Sequence, residues 1–185
     1  GNYADSFVRW NQVSGEVTYL ANTPIGMYAG GNMVYDSSQN KIYLTGGTND
    51  PSFFVYDISQ NSWSKESNDS VPLNPGPGSS MVYDGSRYIY LTRAGASNTF
   101  YRFDTLGESG SKWSTMTIVP TTLYYGSELL INNGEIYTLR GYNSNPNPFY
   151  KYNISGDSWT SLSSLDSNVY IEGFLVDGND GYLYA

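Results

Sequence analysis

Apolar and polar residues alternate along this chain in short runs, separated by clusters of Gly, Asn, Asp and Ser. The clearest stretch is 42–63, IYLTGGTNDPSFFVYDISQNSW. It holds an apolar run at 42–45, the pair Gly46-Gly47, a polar loop, a second run at 53–57, a tight turn, and Trp63 opening a third run. Short β-branched and aromatic runs bounded by turn formers predict strands. No segment carries a helical apolar period over two turns with caps. The pattern therefore predicts an all-β chain.

The order of residue types recurs. One anchor is an aromatic-rich run ending in Asn or Asp: Val8-Arg9-Trp10-Asn11, Phe54-Val55-Tyr56-Asp57, Tyr101-Arg102-Phe103-Asp104 and Tyr150-Lys151-Tyr152-Asn153. Their last residues, 11, 57, 104 and 153, are 46, 47 and 49 positions apart. Trp63, Trp113 and Trp159 follow the last three copies, and Val17 holds that place after the first. A second anchor is an apolar run: Met33-Val34-Tyr35-Asp36, Met81-Val82-Tyr83-Asp84, Leu129-Leu130-Ile131-Asn132 and Phe174-Leu175-Val176-Asp177. Each leads through a turn (SSQN, GSR, NG, GND) into a short strand, KIYLT, YIYLT, EIYTL or GYLYA. Such turns supply positive φ or accept backbone N–H groups. A fixed period of this size marks stacked supersecondary units, here of four strands each.

A unit of about 47 residues, with a Gly pair before the loop and Tyr then Trp after it, resembles the kelch repeat. Gly46-Gly47, Tyr56 and Trp63 match; Arg93-Ala94-Gly95 and Arg140-Gly141 stand where the later units would carry the pair. The resemblance covers essentially the whole chain. It implies a β-propeller of four-stranded antiparallel blades. It leaves function open, because kelch-like units occur in oxidases, adhesion proteins and adaptors. The resembling copper oxidases hold metal with Tyr, His and Cys. This chain has no His and no Cys, so that activity is not expected, and neither is a metal or cofactor. Residues 155–159, SGDSW, only graze the sialidase-type propeller signature, because the Asp-to-Trp spacing is too short.

The repeat predicts one propeller domain over 1–185: the last two strands of a unit in 1–26, complete units in 27–75, 76–126 and 127–172, and the first two strands of another in 173–185. Residues 71–78, VPLNPGPG, predict a crossing between blades. The insertion 106–111 predicts an exposed hairpin tip. The two ends complement each other and, joined tail to head, supply one composite blade. A propeller closes so that no edge or apolar face stays open. The expectation is three complete blades plus the composite one, with three outcomes: a four-bladed ring, half of an eight-bladed ring shared by a homodimer, or a fragment of a longer array. The homodimer is favoured because the units read as blades of a large ring.

Charge and composition narrow the chemistry. A net charge of −8 with 9 Lys+Arg disfavours nucleic acid. No apolar run is long enough to cross a bilayer, and no leader is legible, so no membrane partner is expected. With no His, no Cys, no GxSxG and no P-loop, the chain is expected to be non-catalytic. Asp36, Asp57, Asp84, Asp104 and Asp177 recur at strand ends, which predicts turn capping and not acid–base work. Residues 177–181, DGNDG, lack the spacing and distal Glu of a calcium loop. The recurring Trp and Tyr residues predict packing between blades. Sequons at Asn68 and Asn153 are chance-level signals.

Binding candidates are the residues outside the period. Tyr28, Tyr124, Tyr125 and Tyr170 fall in blade-to-blade crossings. Tyr3, Asn49, Asp50, Asn98, Tyr142 and Asn143 fall in the loops after the second strand. In a propeller both loop sets border one mouth of the channel. Tyr with Asn, Asp and Ser suits carbohydrate or polar protein surfaces. Arg93 and Arg140, at equivalent places, could offer paired hydrogen bonds to an anion. The resulting expectation is a binding or assembly module that self-associates. The alternatives are an extracytoplasmic glycan-binding or glycan-processing propeller, or a fragment of a larger propeller protein.

Overall fold

The computed structural model describes residues 5–48, 50–142, 146–166, 169 and 173–185. Among these there are sixteen strands and no helix. The first blade contains β3 (Asn32–Asp36), β4 (Lys41–Thr45), β5 (Phe53–Asp57) and β6 (Ser62–Lys65). The second contains β7 (Ser80–Tyr83), β8 (Tyr88–Thr92), β9 (Phe100–Asp104) and β10 (Trp113–Thr115). The third contains β11 (Glu128–Asn132), β12 (Glu135–Leu139), β13 (Phe149–Asn153) and β14 (Ser158–Ser161). Each is a four-stranded antiparallel meander, with consecutive strands as neighbours. Flanking them are two hairpins, β1 (Val8–Trp10) with β2 (Val17–Tyr19), and β15 (Val176–Asp177) with β16 (Leu183–Tyr184).

The turns form as their residues dictate. Asp36 caps its hairpin by accepting the N–H groups of Ser38 (2.8 Å) and Gln39 (3.1 Å). Asp57, Asp84, Asp104 and Asp177 accept the N–H two residues on. In Asp36, burial pushes the carboxyl upward, but the Ser38 and Tyr83 hydroxyls and the Gln39 groups outweigh it and hold it below its ordinary value. Asn40, Asn61 and Asn133 carry the positive φ of these turns.

Blades pack through a repeated aromatic joint. Phe7, Phe53 and Phe100, each just before or opening the third strand of its unit, insert against the next blade. Phe7 meets Tyr56 (4.9 Å between ring centres) and Trp63 (5.3 Å). Phe53 meets Phe103 (4.8 Å) and Trp113 (5.2 Å). Phe100 meets Tyr152 (4.9 Å) and Trp159 (5.2 Å). Tyr43 stacks on Phe53, and Tyr90 on Phe100, on the side of the donating blade. Two apolar cores result, one between the first and second blades and one between the second and third. Burying a Phe side chain in this way contributes roughly 2–3 kcal/mol. Each tryptophan also donates its indole N–H to the carbonyl of the preceding unit: Trp63 to Ala21 (3.0 Å), Trp113 to Asp69 (2.8 Å) and Trp159 to Thr117 (2.9 Å).

The first strands of adjacent blades are tied by polar side chains at one repeated position. The Asn32 amide donates to the Ser79 carbonyl (2.8 Å), the Ser80 hydroxyl accepts the Leu129 N–H (3.0 Å), and the Glu128 carboxylate accepts the Leu175 N–H (2.9 Å). Burial pushes the Glu128 carboxyl above its ordinary value, against the Leu175 bond.

Two expectations change. First, the last apolar run sits one residue out of step with its copies. Leu175, not Phe174, takes the place of Met33, Met81 and Leu129: its N–H donates the inter-blade bond as that of Leu129 does, and it is buried. Val176 pairs with Tyr184 as Val34 pairs with Tyr43. The side-chain period of a strand is two, so this one-residue step decides which face each residue takes. Second, the 106–111 tip exposes Leu106, but its far side is docked. Asp69, itself buried, accepts the N–H groups of Gly110 (2.7 Å) and Lys112 (2.9 Å). The hairpins β1–β2 and β15–β16 stand as separate two-stranded sheets among the described residues. The β16–β1 pairing of a composite blade is not made within the single chain.

Candidate functional site: the loop end of the blades

At one end of the blades the crossings fold into the same turn three times. Gly31 N–H donates to the Tyr28 carbonyl (2.9 Å), Ser79 to Gly76 (2.9 Å) and Ser127 to Tyr124 (3.1 Å). Gly30, Gly78 and Gly126 occupy the third place with φ of 82°, 84° and 75°. That is the position where a type II turn requires glycine. The space requires it as well: a Cβ on Gly78 would overlap the Tyr124 carbonyl, and one on Gly30 the Gly76 carbonyl. Sequence reasoning did not single out these glycines, although 30, 78 and 126 are 48 residues apart each time.

The turns interlock with the loops after the second strand. Tyr28 N–H donates to the Gly46 carbonyl (3.0 Å), and Tyr124 N–H to that of Arg140 (3.3 Å). The Ser127 hydroxyl accepts the Tyr124 N–H (3.0 Å) and donates to the Arg140 carbonyl (2.9 Å). Crossings and loops thus share one end, and this carries the candidate residues to a common level.

The third blade gathers four of them. Tyr142 lies 5.8 Å from the Tyr124 ring and 6.3 Å from that of Tyr125. The Arg140 guanidinium lies over the Tyr124 ring at 5.1 Å, a cation–π distance. Tyr125 sits at the second place of its turn, where the second blade has Pro77, and is 45% exposed; Tyr142 is 44% exposed. Behind them Asn147 is fully buried and accepts the Arg140 N–H at 3.1 Å. Tyr28 belongs to the turn of the first blade and is exposed.

The remaining candidates serve the backbone. Asp50 accepts the Ser52 N–H at 2.8 Å, a local turn cap. Arg93 donates to the Asn74 carbonyl (3.0 Å), which ties a loop to a crossing. Asn98 donates to the Val119 carbonyl (3.2 Å). Tyr3, Asn49, Asn143 and Tyr170 lie outside the described residues. Among the described residues no three His, Cys, Asp or Glu side chains converge as a metal-holding group, and no helix is long and apolar enough to cross a membrane.

No protein-family model matches the chain. A kelch repeat-containing protein of Dictyostelium discoideum is 25% identical over 171 residues, covering 80% of this chain and 26% of its own length. YjhT superposes with a TM-score of 0.65 at 15% identity, over 90% of this chain and 61% of its own. With the four-stranded meanders and their aromatic joints, that superposition decides the architecture. These are kelch-like propeller blades.

A chain of the nidogen/laminin complex matches this kelch-like fold with a TM-score of 0.64 at 11% identity, over 90% of this chain and 61% of its own. A fungal alcohol oxidase in complex with copper matches with 0.67 at 18%, over 93% of this chain and 40% of its own. The kelch-like chain therefore spans about a quarter of its curated relative and less than two thirds of each of these structures.

The oxidase corrects one expectation. An enzyme is built on the same fold, so the propeller gives no ground for calling this chain non-catalytic. Copper itself does not fit this chain's own residues, which offer neither imidazole nor thiolate.

Proposed function

We propose that this kelch-like chain is a binding and assembly module that self-associates into a larger closed ring. The observation that carries this reading is the complementarity of its two flanking hairpins. β1–β2 corresponds to the outer two strands of a blade and β15–β16 to the inner two, and each leaves an apolar face open. Trp10 is 61% exposed, Tyr19 77%, and Val176 57%. Exposed apolar faces beside unpaired strand edges are recruited into pairing. Two copies, each with three complete blades and two halves, would make a ring of eight. Light scattering across a concentration series tests the reading. Twice the 20.5 kDa chain mass, persisting on dilution, is expected. One chain mass throughout would overturn it.

A second reading concerns the loop end. The Tyr124–Tyr125–Tyr142 cluster with Arg140 supports a carbohydrate ligand, whose rings stack on aromatic faces while amides and guanidinium groups hydrogen-bond its hydroxyls. A glycan array is expected to give hits that Tyr142→Ala reduces by about tenfold, the loss of roughly one stacking contact. An array without hits would end this reading.

A further inference from the structure

The geometry points to a specific joint between two copies of this chain: Phe149 of one copy inserts against Trp10 and Val17 of the other, while β16 of the first pairs with β1 of the second. The inference rests on the self-association reading and deepens it.

In each internal joint one phenylalanine inserts and one aromatic-plus-tryptophan pair receives. Phe7, Phe53 and Phe100 each find their receiving pair in the next blade, at ring distances between 4.8 and 5.3 Å. Phe149 is the fourth of the series. It is half-buried and stacks on Tyr137 at 6.0 Å, as Phe53 does on Tyr43 and Phe100 on Tyr90. Among the described residues it has no receiving pair.

A receiving surface that no described residue fills lies at the other end of the molecule. Trp10 takes the place of Tyr56, Phe103 and Tyr152, and Val17 that of the tryptophans. Trp10 pairs across its hairpin with Val17, and Val8 with Tyr19, so all four share one face. Their exposures run from 44% to 77%. The opposite face of that hairpin is spent on the first blade, through Phe7. Among the described residues, one end therefore has an inserting residue without a socket, and the other a socket without an inserting residue. The second copy is the occupant because the surface continues a joint that this chain already makes three times.

The repeats also fix the strand register. Ile42 pairs with Tyr56, Ile89 with Phe103 and Ile136 with Tyr152. Leu183 stands where those isoleucines stand, so it pairs with Trp10 of the other copy, and Tyr184 pairs with Arg9. Tyr184 then covers the open face of the first blade, where Met33 and Tyr35 are 42% and 52% exposed.

The chain has no cysteine, so introduced thiols report unambiguously. Arg9→Cys protein is mixed with Tyr184→Cys protein and oxidised. A disulfide-linked species of twice the chain mass is expected, in large excess over either variant oxidised alone. A doubled solution mass without that cross-link would overturn the joint and leave self-association standing. A single-chain mass would overturn both. Phe149→Ala, which leaves the three internal joints intact, is expected to weaken association by about tenfold; unchanged association would also overturn the joint.

Discussion

The middle joint of this molecule and the two that flank it share one apolar device and differ in the polar one. In all three, a phenylalanine inserts against an aromatic and a tryptophan. In the flanking joints the later blade reaches back. Asn61 accepts the Ala21 N–H (2.9 Å) and the Tyr56 hydroxyl (2.7 Å); Asp157 accepts the Thr117 N–H (2.9 Å) and the Tyr152 hydroxyl (2.7 Å). In the middle joint the earlier blade reaches forward, with Asp69 holding Gly110 and Lys112. Phe103 replaces the tyrosine there and has no hydroxyl to anchor, and the hairpin is longer, with 9 positions from Asp104 to Trp113 against 6 from Asp57 to Trp63. The aromatic insertion is thus the constant of the joint. The hydrogen-bonded clamp adapts to whichever side has room, because an N–H needs only some acceptor, whereas a ring needs a cavity of its own shape.

The comparison breaks first if the insertion is not dominant. Phe53→Ala should cost about 3–5 kcal/mol in denaturant unfolding, because Phe53 is fully buried in the core. Phe7→Ala, at a half-buried site, should cost markedly less. Equal losses would mean that the flanking hairpin is held as firmly as an interior blade. Next in size is the forward clamp. Asp69→Ala strands two backbone donors and should cost about 2 kcal/mol, with amide exchange rising at Gly110 and Lys112. Smaller still is the indole bond: Trp159→Phe keeps the ring contact and loses the Thr117 bond, about 1 kcal/mol.

The smallest effect separates the two flanking clamps by pH. Burial pushes the Asp157 carboxyl up, but the Thr117 N–H and Tyr152 hydroxyl outweigh it and hold it below 3.8. A folded-state value below the unfolded one means a stabilisation present above the ordinary carboxylate range. It is lost as pH falls through the folded value. Asp157→Asn should therefore lower stability near neutrality and leave it unchanged in strong acid. Asn61 gives no such acid dependence. A pH series of thermal midpoints for the two proteins checks this.

The period of the sequence was enough to determine the strands, their grouping in fours and the packing role of Trp63, Trp113 and Trp159. Each is a local pattern of apolar spacing and turn chemistry repeated at nearly fixed distance. The loop end was legible only as a set of positions. That Tyr124, Tyr125, Tyr142 and Arg140 meet while Asp50, Arg93 and Asn98 are spent on backbone groups depended on how crossings fold over loops, which composition does not encode. The inserting phenylalanines were legible in principle, as 7, 53 and 100 recur. They sit at or beside the start of a strand, and only stacking the blades shows that they leave their own blade for the next.

Tertiary structure alone decided three further matters. It set the one-residue step of the last apolar run, because burial of Leu175 against the third blade outweighs the Asp match. It placed Asp69 under a hairpin tip 41 residues away. And it left Phe149 at one end and the Trp10 face at the other without an aromatic joint among the described residues, because sheets stack by the shape of their faces.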